Sequence, residues 1–143
     1  MQDYFTRLNA AFLTPAGFPV TDIEPDPESA DYDGHTLLCG QVRIKFRRAK
    51  VTPKKAGHFV ALWKRSASGE TAPFDLADPF DFYLVAVEEG IFFFPRAALA
   101  ENGVLTTGGR EGKRGFRLYA PSVAAPNPTA RRAQAWQVRY FHQ

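Results

Sequence analysis

The stretch DFYLVAVEEGIFFFP, residues 81–95, decides the fold. On either side of Glu88, Glu89 and Gly90 the apolar residues run almost unbroken, which predicts two strands joined by a tight turn. Strands this apolar are covered on both faces, so helices must pack against the sheet they form. The flanking chain supplies them. Pro95 is placed to open a helix over PRAALAEN, and Gly103 to end it. TARRAQAWQVRYF reads as a closing helix with Ala133, Trp136 and Tyr140 on one side, and YFTRLNAAFL as an amphipathic first helix stopped by Pro15 and Gly17.

Between the first helix and residue 81 the period changes to two. In HTLLCGQVRIKF, Val42, Ile44 and Phe46 alternate with Arg43, Lys45 and Arg47, and Gly40 and Gln41 supply a turn, so a hairpin is expected. HFVALWKR is a further strand and GFRLYAP a short later one. Residues 19–34, rich in Pro and acid, read as an extended connector with one turn of helix near Glu28. The order predicts an α+β, mixed α/β domain with a central twisted mixed sheet flanked by helices. A single domain is expected over 1–143: a helix and acidic connector in 1–33, then the sheet core and C-terminal helix in 34–143.

The formal charge of +3 over 143 residues conceals a sorting. Residues 1–33 carry seven acids against Arg7, residues 34–69 carry nine bases and no acid, and residues 70–143 balance at eight of each. Such asymmetry points to a polyanionic partner more than the total does. A single cysteine, Cys39, excludes an internal disulfide, and no apolar run approaches the ~20 residues of a membrane span. A cytoplasmic protein without membrane contact is the expectation.

Several chemistries find little support. GGREGKRG lacks the first glycine and the Ser or Thr of a phosphate-binding P-loop, since Thr107 and Arg114 occupy those positions. His35, Cys39, His58 and His142 show no zinc spacing, and no serine sits in a nucleophile elbow.

The nine bases are Arg43, Lys45, Arg47, Arg48, Lys50, Lys54, Lys55, Lys64 and Arg65. If the strand at 42–50 pairs with the strand at 58–65, most of them share one face or edge, with Thr52 in the intervening loop VTPKKAG. Like charges facing each other on a sheet gain from an anion, and a nucleic-acid backbone suits such a surface because each neutralised phosphate releases counterions. The alternative is a merely solvated face, although such faces normally mix signs. Trp63 and Phe59 are candidates for base stacking or, alternatively, for the core. Lys113, Arg114 and Arg117 in EGKRGFRLY form a second basic locus, whose glycines let the backbone approach a phosphate.

RRAKVTPKKAGHFVALWKR, PFDFYLVAV, IFFFP, EGKRGFRLYAP and QAWQVRYF, in this order and spacing, resemble the successive blocks of the MepB family over roughly residues 28–141. The resemblance implies a restriction-endonuclease-like fold and binding to DNA or RNA. In that fold the nuclease pattern is PD-(D/E)xK, whose carboxylates hold Mg²⁺ against a phosphate. Here Asp33 stands for the first acid and Lys50 for the lysine, the two catalytic candidates. The place of the second acid is taken by Arg48, in the triplet RAK. A nuclease would therefore need Glu28 or Asp81 to complete a Mg²⁺ site with Asp33. A binder needs no cofactor, and binding without cleavage is the expectation.

Overall fold

The computed structural model describes residues 1–143. Its main sheet contains β1 (Asp22–Pro25), β2 (His35–Cys39), β3 (Val42–Arg48), β8 (Phe82–Val87), β9 (Gly90–Pro95) and β11 (Phe141–His142), in that spatial order. β3 and β8 run parallel and the other neighbours antiparallel, so the sheet is mixed as expected. A second sheet holds β4 (Lys50–Val51), β5 (His58–Ala61) and β10 (Gly115–Leu118), with β5 central. A two-stranded ribbon pairs β6 (Trp63–Arg65) with β7 (Thr71–Pro73).

The hairpin of β8 and β9 feeds two cores at once, because successive side chains on a strand point to opposite faces. Tyr83, Val85, Phe92 and Phe94 enter one core; Leu84, Ala86, Ile91 and Phe93 enter the other. On the second face, α1 (Gln2–Leu8), prolonged by a wide turn over Asn9–Leu13, lays down Phe5, Leu8 and Leu13. The first face takes Val60, Phe116 and Leu118 from the second sheet, Leu99 from α2 (Arg96–Glu101) and Trp136 from α3 (Pro128–Gln137). Each fully buried side chain of this size contributes roughly 1.5–3 kcal/mol relative to exposure.

Four details depart from the sequence reading. The strand at 42–48 does not pair with that at 58–61: both edges of β3 are already taken, by β2 and β8, and only Lys50 and Val51 reach β5. Residues 22–25 are a paired edge strand rather than bare connector, followed by the expected helical turn, Pro27–Tyr32. Pro95 caps α2 in an extended conformation instead of opening it. The last helix stops at Gln137, and a turn over Val138–Tyr140 leads into β11. No helix is long and apolar enough to cross a membrane.

Candidate nucleic-acid interface

The nine cations of residues 34–69 do not share a face. Lys45 and Arg47 lie on the side of β3 turned towards the second sheet, not towards water. Asp26 meets them there: its carboxylate lies 2.9 Å from Nη1 of Arg47 and 3.4 Å from Nζ of Lys45, and accepts from the Thr36 hydroxyl at 2.9 Å. Burial works against the charge on Asp26, yet Lys45 and Arg47 outweigh it and hold the carboxyl below its ordinary range. Arg47 is 0% exposed, and its Nε and Nη2 have no partner. Lys64 pairs with Asp78 at 2.7 Å, while Arg65 lies over the Trp63 ring and donates to the Gly69 carbonyl. Arg43 is exposed at the opposite end of β3 from Arg48.

The positions compared with a nuclease are also occupied in an unexpected way. Asp33 closes the Pro27–Tyr32 turn at φ 49, and its carboxylate accepts from Nε of Arg48 at 3.1 Å. Arg48 also covers the Tyr4 ring at 4.7 Å, and the ammonium of Lys50 sits 4.5 Å from the centre of the Tyr32 ring. Asp81 is elsewhere. Its carboxylate accepts from the Arg43 amide at 2.9 Å, and the parallel register sets Arg48 against Ala86. Five residues of strand, about 17 Å, therefore separate Asp81 from the Arg48 end. Glu28 is exposed on its turn. These three acids do not converge, no group of three His, Cys, Asp or Glu is gathered anywhere, and the set does not fit Mg²⁺.

What the fold does gather is the rest of the predicted set, around the second sheet. β5 is flanked by β4 and β10, so Phe59 has Lys50 as its cross-strand neighbour on one side and Arg117 on the other. Arg117 also organises the loop between β4 and β5. Its guanidinium donates to the Thr52 hydroxyl and to the carbonyls of Ala56 at 3.1 Å and Gly57 at 3.5 Å. Gly57 is required at this crossing: φ is +79, and a Cβ there would stand 2.4 Å from the Leu118 carbonyl oxygen. Thr52 thus serves Arg117, and the turn it starts holds Lys54 and Lys55 beside Arg117, Tyr119 and Asn127.

A cleft of about 370 Å³ lies between β10 and α3 and shares Arg117, Tyr119 and Asn127 with this loop. Lys113, Arg117, Tyr119, Asn127, Thr129 and Trp136 are among the residues that line it, and no Asp or Glu does. Arg114 turns outward, towards Glu111 at 4.0 Å and the Thr71 carbonyl at 3.1 Å. Gln137, 1% exposed, closes the free edge of β10: its Oε1 accepts from the Tyr119 amide and its Nε2 donates to the Arg117 carbonyl, both at 2.8 Å. Asn127 caps α3 by accepting from the Ala130 amide at 2.8 Å. The Asn-Pro pair at 127–128 is a readable helix-start signal for that cap. Nothing in the sequence marks Gln137, or singles out Asp26 among the acids of its segment.

A family model described as MepB-like matches residues 26–143. Among solved structures, one described as "Crystal Structure of MepB" is 35% identical and covers 86% of this chain and 85% of its own, with a TM-score of 0.80. No curated protein matches.

Proposed function

The chain belongs to the MepB-like family, and from that premise we propose that it binds nucleic acid through the phosphate backbone and does not cut it. One observation carries this reading. Two basic loci far apart in sequence, Lys54 and Lys55 in one and Lys113 and Arg117 in the other, border two clefts that share Arg117, Tyr119 and Asn127 and whose linings contain no carboxylate. A polyanion entering them meets cations along its length and no repulsion, so affinity arises from counterion release without base reading. Lys50, on the adjoining strand, extends the same surface. Binding rather than hydrolysis is supported by the pairing of Asp33 with Arg48, which spends the first acid of the nuclease pattern on a cation. DNA or RNA, met in the cytoplasm, is the partner on this reading.

The test is a salt titration of nucleic-acid affinity. Binding should be strong near 50 mM salt and fall steeply by about 200 mM. An affinity that does not change with salt, or no binding at the lower concentration, removes the proposal.

A further inference from the structure

Phe59 is the one phenylalanine of thirteen that belongs to neither core. Its neighbours in sequence, His58 and Val60, point inward and are buried, so the alternation of β5 turns Phe59 to the outer face of the second sheet, where it is half-buried. Its ring lies across Gly115 of β10, since a Cβ at that position would stand 2.6 Å from the Phe59 Cζ. Glycine beneath and cations on both sides, Lys50 on β4 and Arg117 on β10, make a shallow platform. An aromatic ring kept out of the core between two positive charges has a specific chemical complement: a flat, π-faced group carried on an anionic chain.

Resting on the nucleic-acid reading above, we infer that the ligand is single-stranded, and that an unpaired base stacks on Phe59 while its flanking phosphates meet Lys50, Arg117 and the Lys54–Lys55 loop. A base within a duplex hides both faces in its own stack and leaves only its edges in the grooves, so Phe59 has nothing to stack on there. An unpaired base offers a whole face, and stacking of this kind accepts any base. The platform lies next to the carboxylate-free cleft through Arg117, which lines that cleft and neighbours Phe59, so the backbone has a continuous cationic path.

The experiment measures fluorescence anisotropy with a labelled oligothymidylate of about 12 nucleotides and with its duplex, at about 50 mM salt. Wild-type protein should bind the single strand more tightly than the duplex. Phe59→Leu keeps an apolar cover over Gly115 but removes the flat ring; it should weaken the single strand about ten-fold and the duplex by less than about two-fold. Phe59→Trp should retain single-strand affinity, and the thermal midpoint of Phe59→Leu should stay near wild type because the ring is outside both cores. Equal losses on both probes, no loss on the single strand, or a wild-type preference for the duplex would overturn the inference while leaving phosphate binding intact. Failure of both probes to bind wild-type protein at low salt would remove the underlying reading as well.

Discussion

Nε of Arg48 stands 3.1 Å from the Asp33 carboxylate, so the arginine compared with the second acid of the nuclease pattern neutralises the aspartate compared with its first. A nuclease would hold Mg²⁺ between two negative groups at this point. This chain instead ties the Pro27–Tyr32 turn to the end of β3 with an ion pair.

No Mg²⁺- or Mn²⁺-dependent nicking of plasmid DNA is therefore expected, and Asp33→Ala should leave that outcome unchanged. Both partners are more than a third exposed, so the ion pair is worth at most about 1 kcal/mol, and Asp33→Asn, which tolerates the left-handed φ of 49 as alanine does not, should shift the denaturation midpoint only slightly. Metal-dependent nicking abolished by Asp33→Ala would reverse the assignment.

Asp26 and Arg47 are the opposite case. Asp26→Asn leaves a guanidinium that is 0% exposed without its counter-ion, and should cost about 3–5 kcal/mol in chemical denaturation. The pH dependence follows from the lowered Asp26 pKa. A carboxyl whose folded-state pKa lies below its unfolded value stabilises the fold above the unfolded value, about 3.9, and loses that stabilisation as pH falls towards the folded one. Wild type should weaken progressively below about pH 4, and Asp26→Asn should show a flatter profile in that range.

Charge reversal in the β4–β5 loop tests the proposed binding surface without disturbing the cores. Lys54→Glu with Lys55→Glu should weaken single- and double-stranded probes alike. It should also flatten the plot of log affinity against log salt by about 0.7–0.9 for each phosphate that is no longer neutralised. A loss confined to one sequence would indicate base reading at these lysines instead.

Gln137→Leu leaves two groups at the edge of β10, the Tyr119 amide and the Arg117 carbonyl, without their partner. Unsatisfied buried groups cost about 1–3 kcal/mol each, so a destabilisation of about 2 kcal/mol or more is the order expected. Hydrogen exchange should report it locally, as faster exchange at the Tyr119 amide.

The sheet was legible because its signals are local. The apolar runs at 82–87 and 91–95 and the alternation at 42–46 each give strand and facing from neighbouring residues alone. The charges were legible as composition and misleading as geography. Alternation placed Arg43, Lys45 and Arg47 on one side of β3 but could not say that a second sheet covers that side, which turns the half-buried Lys45 and the fully buried Arg47 into partners of Asp26. Pairing failed where it depended on competition: β5 looks like a partner for β3 until β8, nearly forty residues on, takes that edge. The Lys113 and Arg117 locus met Lys54 and Lys55 only through the antiparallel register of β5 with β10, a pairing no short window contains.

The alternation of β8 and β9 into two cores has a consequence for how the molecule comes apart. A slip of one residue in that hairpin exchanges the side chains offered to both faces, so neither core can repack while the other stays native. The two cores are coupled through one shared pair of strands and should melt as one cooperative unit. The fluorescence of Trp63 and Trp136 and far-UV circular dichroism should then trace superimposable transitions, with no stable half-folded species between them.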